Sequence, residues 1–285
     1  MNNLSGRDIH ELWRKKDGNL KPITLKGQLD ALKIFLQWCE SIDAVREGLH
    51  DKIVYPTLSK KEEVSNEKIG SEEAEKILEY LRQFKYASRK HILFSIFWHT
   101  GMRMGSVYAL DVGDYYPDEK YLEVVHRPEE GTPLKNQNEG ERLIAIDSEL
   151  CVAIEDWIRN MRPDVTDEYG REPLLATEEG RMSKSCMRES LYAVTRPCVY
   201  SGSCPHSRDP ELCEAMEYGY RSKCPSSKSP HSARRGSITH HLLNDVPERY
   251  VSDRMNVGQD VLDKHYDKRT EEEKVEQRRE FLDNI

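Results

Sequence analysis

The stretch Ser229–Leu242, "SPHSARRGSITHHL", decides the reading of this chain. Its pattern starts a helix at Ser229-Pro230 and sets His231 and Arg234 three residues apart, so one turn presents both from the same face. Arg235 follows at once. Between Arg221 and Arg235 lie Arg221, Lys223, Lys228, Arg234 and Arg235, with no acidic residue among them. Such a cluster asks for an anion, although the whole chain carries a formal charge of -8. The acids gather elsewhere, in "SKKEEVSNEKIGSEEAEK" and "KRTEEEKVEQRRE". Net acidity alone speaks against a nucleic-acid partner, but a basic face is what binds phosphate, not the average charge.

Outward from this stretch, the composition bounds the answer. A chain of 285 residues suits one large or two modest domains. With 37% hydrophobic and 33% charged residues it reads as well solvated. The densest apolar run, "ILFSIFW" at Ile92–Trp98, falls far short of the roughly eighteen residues that span a bilayer. The opening "MNNLSGRDIHELWRKKDGN" has no apolar signal core, so the expectation is a cytoplasmic protein with no membrane partner.

The first helical pattern is "ITLKGQLDALKIFLQWCESI", where Leu25, Leu29, Leu32, Leu36 and Cys39 share a stripe that Ile42 extends, with Thr24 as its N-cap. Charged, polar sequence from Tyr55 to Gly70 then separates it from the rest. The spacing predicts a small helical domain over 1–62, a linker over 63–70 and a larger domain over 71–285. Ser71 is the expected N-cap of a helix with Ala74, Ile77, Leu78 and Leu81 inward. "HILFSIFWHTGMR" is apolar nearly all round and predicts a buried helix that stops near Gly101. "YLEVVHR" and "RLIAID" read as strands around the polar turn region "PEEGTPLKNQNEGE". A helix over Ser148–Met161, with Leu150, Ile154, Trp157 and Ile158 inward, and three more helical patterns near the C-terminus complete a mainly α fold with a small antiparallel β-sheet.

Four pieces then stand together: "HTGMRMGSVYALDVGDY", "PLKNQNEGERLIAI", "SPHSARRGSITHHLL" and "LDKHYDKRT". Their order and spacing resemble the tyrosine recombinase (phage integrase) family, whose catalytic domain runs Arg, strand-borne Lys, His-x-x-Arg, His or Trp, Tyr. On that resemblance Arg103 is the first arginine, Lys135 the hairpin lysine, His231 and Arg234 the His-x-x-Arg pair and Tyr266 the nucleophile. "ITLKGQLDALKIFLQWC" resembles the family's N-terminal core-binding domain. "DRMNV…VLDKHYDKRTEEEK" looks most like the integrases of halophilic archaea and their viruses. Two positions depart from the pattern. Ser106 stands where the family usually has an acid, and Val257 stands nine residues before the tyrosine, where His or Trp is usual. His265 is a poor substitute, because neighbouring helical side chains point about 100° apart; His240 and His241 are the other candidates.

The implied chemistry matches the residue types. A phosphodiester repels nucleophiles, and its transition state concentrates charge on the non-bridging oxygens. Two forked, permanently charged guanidiniums, Arg103 and Arg234, suit those oxygens. Tyr266 would attack phosphorus to leave a 3′-phosphotyrosyl link. His231 would accept the phenol proton, and Lys135 would protonate the departing 5′-oxygen. The resemblance implies double-stranded DNA as substrate, a homotetramer on paired sites, no small-molecule substrate and no cofactor for catalysis. Two other classes stay open: a DNA-binding accessory protein that has lost the reaction, which Val257 and Ser106 favour, and a type IB topoisomerase-like enzyme.

One segment has no place in the family pattern. Seven cysteines is an odd count, and Cys198, Cys204, Cys213 and Cys224 crowd into an insertion over 198–224. In a chain without a signal sequence such clustering favours a metal over disulfides, so a structural zinc on these four thiols is expected.

Overall fold

A computed structural model describes residues 22–58 and 67–265, together with Val275 and Arg279. The chain divides into two compact units, Met1–Asn66 and Glu67–Ile285.

The described part of the first unit is one long helix, α1 (Pro22–Ser41), followed by a short 3₁₀ turn at His50–Lys52. Leu25, Leu29 and Cys39 are buried, Leu32 and Leu36 half-buried, and Ile42 is exposed. Thr24 lies inside the helix and is not its cap. Pro22 is the first described helical position, where a missing N–H costs nothing because that donor has no intrahelical partner. The turn is tied back to the helix by His50, which bonds the Glu40 carboxylate through both its backbone N–H (2.8 Å) and its ring Nδ1 (2.7 Å).

The second unit is mainly α with two small antiparallel sheets. Its helices are α2 (Ser71–Phe84), α3 (Arg89–Thr100), α4 (Met104–Ala109), α5 (Ser148–Asp156), α6 (Lys184–Val194), α7 (Pro197–Tyr200), α8 (Pro230–Leu243), α9 (Glu248–Met255) and α10 (Gln259–His265). Strands β1 (Tyr115–Tyr116), β2 (Tyr121–Val124) and β3 (Arg142–Ala145) form one sheet in that order, with the core-facing pair Leu122↔Ile144 in register. A second pair, β4 (Ala176–Thr177) and β5 (Gly180–Arg181), has too little hydrophobic alternation to show in the sequence.

Helix α3 is the axis of this unit. His91 to Trp98 and Thr100 are all buried, as a helix apolar all round must be. Gly101 stops it in the left-handed region (φ 59°), and a Cβ there would stand 2.5 Å from the Met255 sulfur. Helix α8 packs closely on α3. Gly236 makes this possible: a Cβ would lie 2.2 Å from the Ile69 carbonyl oxygen and 2.9 Å from the Trp98 ring. Ile69 itself, within segment 63–70, is fully buried and its N–H donates to the Ser232 carbonyl (3.1 Å).

Two local expectations are corrected. The N-cap of α2 is Gly70, and Ser71 is its first helical residue; the Ser71 hydroxyl is hydrogen-bonded to His240 Nδ1 instead (2.9 Å). The helix over Ser148–Met161 is α-helical only to Asp156, and Trp157–Met161 widens into a π turn. There the Trp157 indole donates to the Leu174 carbonyl (2.8 Å), which holds the ring inward.

A buried ionic network braces the loops behind the sheet. Asp111 pairs with Arg171 (3.2 Å) and Arg181, Asp114 with Arg127, and Asp167 with both Arg171 (3.1 Å) and Arg181 (2.7 Å). Each acid faces more than one donor, so charge removed from water is matched by hydrogen bonds. Their scatter along the sequence hides the network from periodicity.

Candidate active site

Helix α8 delivers the first two site residues. The Ser229 hydroxyl caps it by accepting from the Ser232 N–H (3.2 Å), and Pro230 occupies the first helical position. One turn on, Arg234 is 4% exposed, while His231 at the cleft rim is open to solvent.

Arg103 comes from the other side. It caps α4 just after the left-handed turn at Gly101, which swings the chain off the end of α3. The two arginines meet at a shared structure, the C-terminal end of α9. Arg234 Nη1 donates to the carbonyls of Gly101 and Met255 (2.7 Å to the latter), and Arg103 Nη1 donates to the carbonyl of Asn256. Arg234 Nη2 reaches the same Asn256 carbonyl at 3.4 Å. The last carbonyls of any helix lack intrahelical partners and form the negative end of its dipole, so they hold cations well. Here that end fixes two guanidiniums side by side.

Asn256 also reaches the third element. Its backbone is left-handed (φ 48°, ψ 62°), a conformation asparagine tolerates, and this turns its side chain to the β2–β3 loop. Asn136 Nδ2 donates to Asn256 Oδ1 (2.8 Å), and Asn256 Nδ2 donates to the Glu139 carbonyl (3.3 Å). Lys135 is the neighbour of Asn136, so one asparagine fastens the lysine loop to the carbonyl bracket that holds both arginines. Beneath it, Arg142 donates to the carbonyls of Arg254 (2.8 Å) and Gly140 (2.6 Å), and Arg254 to those of Ala145 (2.6 Å) and His99 (2.9 Å). Burial, then the charges of Arg103 and Arg254, push the Arg142 pKa down to about 10.

Arg103, Lys135, His231 and Arg234 therefore line one cleft of about 440 Å³. Val257 lines it too, with an apolar side chain that donates no hydrogen bond. Among the described residues the lining holds no carboxylate. Withdrawal from water, then the charges of Arg235, Arg234, Arg103 and Lys135, lower the His231 pKa below the ordinary 6.5. The ring is thus neutral at pH 7 and able to accept a proton. The arrangement offers an anion two anchored guanidiniums, an exposed ammonium and a base.

Sequence reasoning missed three residues here. Asn256 belongs to no family motif named above, yet an asparagine followed by an apolar residue and glycine after a helical stretch is the usual sign of a left-handed stop. Arg188 and Tyr192, four apart on one face of α6, also line the cleft, and no short motif flags them. Neither spare histidine enters it: His240 lies against the Trp98 ring and Ser71, and His241 Nδ1 donates to the Ser237 carbonyl (2.8 Å). Ser106 is buried within α4. Tyr266 lies outside the described residues, and of His265 only the backbone, at the end of α10, is described.

Cys198, Cys204, Cys213 and Cys224, the expected zinc ligands, are all free thiols, and among the described residues no three His, Cys, Asp or Glu side chains are arranged to hold a metal. Short turns at Pro210–Leu212, Glu214–Met216 and Arg221–Lys223 flank the later cysteines. A cation already stands among these thiols. The buried Arg196 guanidinium, which donates to the carbonyls of Ala193 (3.2 Å) and Ala215, feels Cys198, Cys224 and Cys213. Burial, offset in part by Arg196, pushes the Cys198 thiol up, toward its protonated form.

The fold and this cleft together place the chain among proteins with the tyrosine-recombinase fold. An integrase of the Tn1549 transposon, solved with transposon right end DNA, superposes with a TM-score of 0.64 at 16% identity, over 98% of this chain and 85% of that one. A lambda integrase dimer bound to a core site gives 0.60 at 12% identity, over 95% and 67% of the two chains. In sequence, the tyrosine recombinase XerC of Natranaerobius thermophilus is 24% identical over 156 residues, 55% of this chain and 48% of the relative. The chain thus matches about half the length of that curated relative. No protein-family model matches it. Among the described residues no helix is long and apolar enough to cross a membrane.

Proposed function

We propose that this protein is a site-specific DNA recombinase that cuts and rejoins duplex DNA through Tyr266, integrating or excising a mobile element. The observation that carries the reading is the cleft that Arg103, Lys135, His231 and Arg234 line together, with no carboxylate among the described residues of its lining. The anion is the scissile phosphodiester. Arg103 and Arg234, anchored on the carbonyls of Met255 and Asn256, would direct their guanidinium charge at the non-bridging oxygens, where charge accumulates in the transition state. The Tyr266 oxygen forms a bond to phosphorus as the bond to the 5′-oxygen breaks. His231 takes the phenol proton, and Lys135 gives a proton to the departing oxygen. Religation runs the same steps backwards from the 3′-phosphotyrosyl ester. Guanidiniums supply the charge that other phosphoryl-transfer sites take from metal ions, so the reaction is metal-independent in this reading.

The named relatives support a duplex DNA partner, and the family pattern supports a homotetramer on paired sites. Kinship with the integrases of halophilic archaea and their viruses rests on "DRMNV…VLDKHYDKRTEEEK". The test is incubation with nicked suicide duplexes taken from DNA flanking the gene, with chelator present and Tyr266→Phe alongside. A covalent protein–DNA band on a denaturing gel, lost in the variant, is the expected result. Its absence on DNA that the protein binds would favour the accessory-protein reading, for which Val257 is the specific motive.

A further inference from the structure

The cleft holds a cationic side chain to which the reaction above assigns no role. Arg188, on the exposed face of α6, lines it together with Arg103, Arg234 and Val257. The other face of α6 is locked in the core by Met187, Leu191 and Val194, so the helix is a fixed wall that carries Arg188 at its edge. Tyr192, one turn later, continues the same wall. The charged neighbours of Arg188 are engaged elsewhere. Glu189 accepts from the Gly219 N–H (3.1 Å) in the insertion, and Lys184 lies over the Tyr108 ring (4.7 Å). Arg188 has no hydrogen-bond or ion-pair partner among the described residues. An exposed arginine that lines a cleft with two other arginines, and with no carboxylate among the described residues, favours an anion there.

The same cleft has a deficit elsewhere in its lining. Val257 presents methyl groups to it, where a hydrogen-bond donor would suit a phosphate. Resting on the recombinase reading, we infer that Arg188 grips the same phosphodiester as Arg103 and Arg234 and supplies the donation that Val257 cannot make. The guanidinium fork suits this role, because two parallel N–H donors can meet one or two non-bridging oxygens. Arg188 would thus be a third phosphate-binding arginine, contributed by a helix outside the sequence motif.

The experiment measures cleavage of a suicide duplex at saturating DNA, with affinity measured separately by anisotropy. Arg188→Ala removes an exposed side chain and is expected to slow cleavage about a hundredfold, the usual cost of one transition-state donor, with a smaller loss of affinity. Arg188→Lys should recover only part, since an ammonium lacks the fork. Two further readouts separate a grip on the scissile phosphate from general attraction. In the Arg188→Ala background, Val257→His should restore cleavage at least about tenfold, by returning a donor to the lining. With a methylphosphonate at the scissile position, one charged oxygen is gone, and the penalty of Arg188→Ala should shrink. Weaker binding with an unchanged cleavage rate, or an equal penalty on the neutral substrate, would overturn the inference while leaving the recombinase reading intact. If the unaltered protein forms no covalent adduct on DNA it binds, the recombinase reading falls and this inference falls with it.

Discussion

Two kinds of side chain line the cleft. Arg103 and Arg234 are tied to the carbonyls of Gly101, Met255 and Asn256, and Arg234 is almost fully buried. Lys135, His231 and Arg188 stand exposed, and neither Lys135 nor Arg188 has a hydrogen-bond partner among the described residues. A side chain tied to backbone carbonyls is preorganised, so under the proposed function the first pair spends no reorganisation when charge develops on a phosphate. Under the same proposal the exposed group moves protons or meets the strand.

The sharpest way to break this contrast is Arg234→Ala. It removes a phosphate donor and leaves the Met255 and Gly101 carbonyls unpaired, so cleavage should fall by about a hundred- to a thousandfold. Single-turnover cleavage on a nicked duplex checks this, and a fall of less than tenfold would mean that the fixed pair is not the clamp. Next comes the brace behind the sheet. Asp111→Ala removes one of the two acids that hold Arg171 and Arg181, leaving Asp167, and should lower stability by about 1–3 kcal/mol in urea unfolding; a change within experimental error would make the network ornamental. Gly236→Ala follows, since its Cβ has no room against Ile69 and Trp98. A loss of about 1–3 kcal/mol is expected from overpacking, and unaltered unfolding would show that α8 moves off α3 at no cost.

Asn136→Ala tests one of the ties between the Lys135 loop and the carbonyl bracket. Without the bond to Asn256 the Lys135 loop loosens, and cleavage should slow by about tenfold with DNA affinity unchanged, short of the about hundredfold that an ångström of misplacement costs. An equal drop in affinity would make Asn136 a DNA contact instead. The smallest expected effect is a titration. Because the neutral form of His231 is favoured, its NMR midpoint in the free protein should lie below 6.5, and a bound phosphate should raise it by favouring the imidazolium. Accordingly, the acid limb of the cleavage profile should fall as pH drops through that midpoint. A free-protein midpoint above 6.5 would contradict the cationic surroundings described here.

Much of the fold was legible because its signals are local. The apolar run Ile92–Trp98 had to be buried, and glycine after Thr100 had to stop it, since few other residues take a left-handed backbone without strain. The strands around Lys135 showed through alternation, and Ser229-Pro230 announced the start of α8. Helix starts at Thr24 and Ser71 misled, because a hydroxyl near a boundary marks the cap only to within a residue or two.

The sequence by itself marked Arg103, Lys135, His231 and Arg234 by motif and spacing, and these four line one cleft. Only the tertiary structure decided what holds them. The carbonyl bracket at Met255 and Asn256, the Asn136–Asn256 tie, the Asp111 network and Arg188 on its own helix all join residues far apart in the chain. Periodicity and short motifs report what a segment prefers, whereas a hydrogen bond between distant segments depends on packing that no local pattern encodes.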